Sequence, residues 1–209
     1  VAKPVISVSL QPIRLFLHAY RHFFIDPLQS FQYKHLHLST ISIDLTTRQS
    51  FMSEIRNKTI QGLKAGDTFV VSRQFTEADM LAFADLTRDY NPIHFDKRFV
   101  GTKNFNDRIC HGLLVGSILT EVGGQIGWLA SEMNFRFRRP VYFGDTIECT
   151  FTIIEIDDRN RARADVVYRN QDGVIVLEAE LAGIVPGETE KGVLSVMVAE
   201  GDPTNKVRG

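Results

Sequence analysis

A carboxylate and an imidazole stand five positions apart in Asp89-Tyr90-Asn91-Pro92-Ile93-His94. Fully extended, that stretch would hold them roughly 16–18 Å apart. Pro92 fixes its own φ and pushes Asn91 out of the helical region, so the segment is a shaped loop. A loop bent at Asn-Pro turns both side chains toward one small volume, as a general acid and a general base require. Taken alone, the pattern reads equally well as an ordinary turn, because Asn and Asp before proline bond their own backbone. The second feature shifts the balance. Seventeen residues beyond His94, His111-Gly112 opens a long apolar run. The two together point to proton transfer beside a polarised carbonyl.

Other chemistry-bearing residues have weaker patterns. His18 and His22 stand at i, i+4, and His35 and His37 form H-x-H. Both spacings suit zinc, but no cysteine or carboxylate cluster completes a site, so no metal is expected. Cys110 and Cys149 lie outside any C-x-x-C pair and read as free thiols in a reducing compartment. Cys110 has no partner arrangement that would make it a nucleophile. His111 is expected to cap or hydrogen-bond beside a helix start. The cluster Arg136-Phe137-Arg138-Arg139 is either a solvated strand edge or a contact for phosphates.

The bulk numbers bound the rest. The chain has 209 residues, 44% hydrophobic and 23% charged, with a net charge of −1. That allows one domain with a real core plus appendages. It gives no electrostatic basis for nucleic-acid binding. No run of 18 or more apolar residues is present, so no membrane partner is expected. The first 51 residues differ from the rest. They carry five Lys/Arg against two Asp/Glu and four of the six histidines. Residues 1–51 are read as an irregular extension, with one short amphipathic helix between Arg14 and Phe24. Basic and poor in acids, the stretch fits a transit segment. It also fits sequence upstream of a start at Met52. The corresponding locations are mitochondrial in the first case and cytoplasmic, the preferred reading, in the second. A domain over 52–186 and a polar tail over 187–209 follow.

Within that domain, Gly66-Asp67 is a turn and Thr68–Phe75 a strand. Thr76 is an N-cap with Asp79 at the third helical position, and the helix stops near Thr87, just before the loop. Residues 95–107 read as a polar connection. Gly112–Ile126 reads as one buried helix, apolar on most sides, with Glu121 its only charge. After Gly127 the period changes to two, giving strands over 132–139, 146–156, 162–169 and 174–185, with a hairpin turn at Asn170-Gln171-Asp172-Gly173. Antiparallel strands after one apolar helix are accommodated by a curved sheet wrapped around it, a two-layer α+β domain. Such a sheet has an edge that dimerisation commonly covers.

Three ordered segments carry a family resemblance: Phe83–His94, Arg108-Ile-Cys-His-Gly-Leu-Leu114, and Phe137-Arg-Arg-Pro-Val-Tyr-Phe-Gly-Asp145. Over about residues 60–186 the chain resembles the MaoC-like dehydratases, and more narrowly the (R)-specific enoyl-CoA hydratases. The resemblance implies the hot-dog fold, an antiparallel sheet around a long central helix, usually dimeric. It implies addition of water to a trans-2-enoyl thioester of CoA or acyl-carrier protein, giving the (3R)-3-hydroxyacyl thioester, with no cofactor. By the same resemblance Asp89 and His94 match the catalytic pair and Asn91 the loop's structural residue. Gly112 matches the amide that binds the thioester oxygen, and Thr120 or Ser117 the helix hydroxyl near the loop. Arg88 stands where the family often has Gly, and Val100 where it has a small residue. The stretch Gly123–Met133 is shorter than in hydratases for medium-length chains. Three other readings stay open. One is a 3-hydroxyacyl-carrier-protein dehydratase, which runs the same reaction in reverse. The others are a hot-dog thioesterase and a non-catalytic acyl-thioester binder.

Overall fold

The computed structural model describes residues 54–201. The expectations for residues 1–51, paired histidines included, lie outside the described residues. The elements in chain order are α1 (54–61), β1 (Thr68–Gln74), α2 (Glu77–Thr87), α3 (Lys97–Gly101), α4 (Gly112–Gly116), α5 (Leu119–Ile126), β2 (Leu129–Phe137), β3 (Thr146–Ile156), β4 (Arg161–Arg169), β5 (Ile175–Ile184) and α6 (Glu188–Ala199).

The strands form one antiparallel sheet in the order β1-β3-β4-β5-β2. Alternation makes one face apolar. Ile147, Cys149, Phe151 and Ile153 of β3 are fully buried, and Ala162, Ala164, Val166 and Tyr168 of β4 lie on the same side. That face packs on Leu119, Val122 and Ile126 of α5, within one core cluster. Burying side chains of this size stabilises the fold by about 1.5–3 kcal/mol each. At the β4–β5 turn, Asn170 Oδ1 accepts the N–H groups of Asp172 and Val174. Gly173 takes a φ of 75°, which its missing side chain allows.

Four details depart from the sequence reading. The central helix is not continuous: α4 ends at Gly116 and α5 begins at Leu119. The Tyr168 hydroxyl, buried in the core, donates to the Gly116 carbonyl at 2.8 Å. At the break, Ile118 N–H bonds the Val115 carbonyl and Thr120 N–H the Ser117 carbonyl, the tighter i→i+3 pattern. The connection 95–107 contains a short helix, α3, capped by Asp96, whose side chain accepts from Arg98 N–H. The expected polar tail contains α6, which places Glu188 and Glu190 in its first turn, where carboxylates stabilise a helix N-terminus. The segment 54–61 is helical and places Ile55, 1% exposed, in the core.

Candidate active site

The loop bearing Asp89 and His94 is launched by α2. Thr76 and Asp79 form a complete capping box at its start. At its end Arg88 adopts the left-handed conformation, φ 60° and ψ 26°, and its N–H bonds the Ala84 carbonyl at 2.6 Å. This is the backbone state that glycine adopts without strain, which explains why glycine is common there in the family it resembles. The loop then folds on itself. Asn91 N–H donates to Asp89 Oδ1 at 3.2 Å, and Asn91 Oδ1 accepts from Ile93 N–H at 3.2 Å. Pro92 opens a single 3₁₀ turn, Pro92–His94, where its missing N–H is no loss. Tyr90 anchors the outer side by donating its hydroxyl to Asp85 at 2.7 Å.

His94 is 6% exposed. Its Nδ1 lies 2.8 Å from the carbonyl of Ile109. A carbonyl only accepts, so Nδ1 carries the hydrogen and Nε2 of the neutral ring keeps its lone pair. Burial holds the imidazole below its usual pKa; the Ile109 carbonyl and Asp89 oppose this, while His111 adds to it. A lone-pair nitrogen on a ring that resists protonation is suited to accept a proton. Asp89, by contrast, has a side chain 49% exposed, open to an incoming water.

The third member comes from the other segment. The ring of His111 is 1% exposed and stacks on His94 with centroids 3.8 Å apart. The next residue, Gly112, is the first of α4, so its N–H lies outside the intrahelical ladder. A Cβ at Gly112 would sit 2.6 Å from the Phe137 ring, so glycine lets the strand β2 and its phenyl group approach. Asp89, His94, Gly112 and Phe137 line one cleft of about 540 Å³, with Arg138 and Arg139 on its wall. That volume lies within the range of small-molecule sites.

Ser117 and Thr120 are not brought to this cleft. Both are exposed, and each hydroxyl donates to its own helix backbone at 2.6 Å, Ser117 to the Leu114 carbonyl and Thr120 to the Ser117 carbonyl. Cys110 lines the cleft, but burial pushes its thiol up to about 12, which removes the thiolate a nucleophile needs. The sequence reading missed Phe137 as a wall of the site. Its signals were the alternation of Phe135 and Phe137 in β2 and its place at the head of the third family-like segment. Asp89, His94 and His111 each offer one polar atom within 4.8 Å of the others. That density of donors suits a divalent ion and a proton-transfer site alike, and the readiest separation is treatment with a chelator.

Comparison with known proteins places this geometry. The family described as MaoC like domain matches residues 61–174, which include the Asp89–His94 loop and His111-Gly112. A 3-hydroxybutyryl-CoA dehydratase of Methylorubrum extorquens is 30% identical over 155 residues, 72% of this chain and 98% of that protein. A mitochondrial 3-hydroxyacyl-[acyl-carrier-protein] dehydratase of Arabidopsis thaliana is 29% identical over 140 residues, 64% of this chain and 83% of its own length. The solved (R)-hydratase of Aeromonas caviae superposes with a TM-score of 0.57 at 28% identity, covering 60% of this chain and 99% of that one. With a family match over more than half of the chain and a sheet-and-helix architecture shared with a solved hydratase, the protein belongs to the MaoC-like family, a hot-dog protein of the hydratase and dehydratase class.

Proposed function

We propose that this chain catalyses reversible addition of water to a trans-2-enoyl thioester, giving the (3R)-3-hydroxyacyl thioester. The observation that carries the reading is the meeting of Asp89, His94 and Gly112 on one cleft, with the His94 ring fixed by Ile109. In the hydration direction a water held between Asp89 and His94 attacks the β-carbon. Its proton passes to His94 Nε2, and electrons move through the double bond to the thioester oxygen. The Gly112 N–H stabilises that enolate oxygen, an interaction worth about 3–4 kcal/mol where such donors have been removed. The proton then goes to the α-carbon, so water is consumed whole and no redox partner is needed. A binder or a thioesterase has no use for this proton return.

The names of the relatives support both a CoA and a carrier-protein thioester as substrate, and both contain a phosphopantetheine arm. We take the working unit to be a homodimer, since β2 is an edge strand left open by the fold. The test is loss of the enoyl-thioester absorbance on mixing with crotonyl-CoA, followed by chiral analysis of the product. Asp89→Asn and His94→Ala are each expected to fold and to lose roughly 10²–10⁴ in kcat. Near-normal turnover in either variant, or a (3S) product, overturns the assignment. Activity is expected to survive a chelator.

A further inference from the structure

We propose that His111 is a positioning residue: its ring N–H holds the backbone carbonyl of Asp89 and so ties the loop carrying the carboxylate to the amide of Gly112. The proposal rests on the hydratase reading above.

His111 Nε2 lies 2.9 Å from the Asp89 carbonyl oxygen. Since that oxygen accepts, Nε2 bears the hydrogen, and Nδ1 keeps the lone pair of the neutral ring. Nδ1 is buried and, among the described residues, has no hydrogen-bond partner. A buried acceptor left without a partner destabilises the fold. A phenyl ring of similar shape would fill the same space without that penalty, so packing alone gives no reason for an imidazole here. Capping gives none either: His111 is the N-cap of α4 but its side chain makes no capping bond. What the imidazole alone supplies is the donor to Asp89.

The surroundings fix that donor's direction. The ring stacks on His94 at 3.8 Å between centroids, with Phe83 at 5.2 Å and Phe95 edge-on at 6.1 Å. Few other contacts hold Asp89. Among the described residues, its N–H reaches Thr87 Oγ1 only at 3.4 Å, and its carboxylate takes one hydrogen bond, from Asn91 N–H at 3.2 Å, with His111 Nε2 4.0 Å from Oδ2. His111 precedes Gly112 directly in the chain. One side chain therefore sets the spacing between the carboxylate that holds water and the amide that receives the oxyanion. A misplacement of about 1 Å in such a constellation lowers rate by roughly 10²-fold.

The experiment compares full-length His111→Phe and His111→Gln in crotonyl-CoA hydration, with ¹⁵N-histidine NMR on the wild type. His111→Phe keeps the stacked ring and loses the donor. It is expected to lose at least roughly tenfold in kcat with KM nearly unchanged. The glutamine side-chain N–H reaches the same carbonyl, and His111→Gln is expected to recover most of that loss. Wild-type kcat in His111→Phe overturns the proposal, as does equal impairment of both variants. Should the variants not fold, the wild-type spectrum decides: an Nε2–H tautomer at His111 supports the tie, and an Nδ1–H tautomer overturns it. A wild type inactive on every enoyl thioester would remove the proposed reaction while leaving the tautomer measurement to judge His111 separately.

Discussion

At the scale of single residues, the protonation of His94 would set the working range of the proposed reaction. Burial depresses its pKa below the ordinary imidazole value. The base form then persists below about pH 6.5, and the acid limb of kcat/KM is expected to have its midpoint under that value. An acid limb centred above pH 7 would contradict this role. The same depression has a stability consequence. The unfolded chain takes up the proton first, so the contribution is present above about pH 6.5 and is lost as pH falls through the lower folded value. Arg139 makes a second residue-scale prediction. Arg136 and Arg138 pair with Glu180 and Glu178 across β5, each at 2.6 Å. Arg139 lines the cleft, and its guanidinium donates to the Arg138 carbonyl at 3.4 Å. An exposed cation at the cleft suits a phosphate on the arm of the proposed thioester substrate. Arg139→Ala should raise KM for crotonyl-CoA roughly fivefold, about 1 kcal/mol, with kcat unchanged. The effect should vanish with an N-acetylcysteamine thioester, which has no phosphate. An equal rise with both substrates would place Arg139 outside phosphate recognition.

At the scale of elements, α2 decides where Asp89 begins. Its two ends can be tested in opposite directions. Thr76→Ala breaks the capping box, in which Asp79 N–H bonds Thr76 Oγ1 and Thr76 N–H bonds Asp79 at 2.8 Å. It should lower stability by about 1 kcal/mol in urea unfolding. Arg88→Gly should do the reverse. A left-handed residue other than glycine is strained by about 1–2 kcal/mol, partly offset by the greater backbone entropy that glycine loses on folding. A net gain of about 0.5–1 kcal/mol is expected. A loss would show that the Arg88 side chain holds the loop in some other way. The break between α4 and α5 belongs to this scale too. Gly116 gives its carbonyl to Tyr168, which anchors the start of the apolar run and leaves α4 as a short piece presenting Gly112.

At the scale of the whole molecule, the open side of the sheet matters most. In β2 every residue but Phe135 is exposed, among them Leu129, Met133 and Phe137. An edge strand with apolar side chains invites pairing with a second copy. Met133→Lys is expected to shift sedimentation from dimer toward monomer at micromolar concentration, and a monomeric wild type would contradict the dimer outright. The helix α1 adds Ile55 to the core, and Arg56 Nη2 donates to the Gly124 carbonyl of α5 at 3.3 Å. Ile55→Ala should destabilise the fold by about 2–5 kcal/mol, the range for a fully buried isoleucine. A negligible change would detach α1 from the core.

The local elements were legible in the sequence because each is written in short-range chemistry. Alternation gave β3, β4 and β5 nearly to the residue, and Thr76 with Asp79 gave the start of α2. Asn91-Pro92 gave the loop, since proline fixes backbone angles wherever it stands. What the tertiary structure alone decided depends on groups distant in sequence. The Tyr168 hydroxyl reaches across 52 positions to Gly116, where the expected single helix is interrupted. Phe137 closes on Gly112 only because β2 folds back over α4. Ser117 and Thr120 turn their hydroxyls to their own helix, a choice that spacing leaves open. The tie from His111 to Asp89 spans 22 positions. Periodicity records which face of an element is apolar; it carries no record of which side chain on that face will meet a partner from another segment.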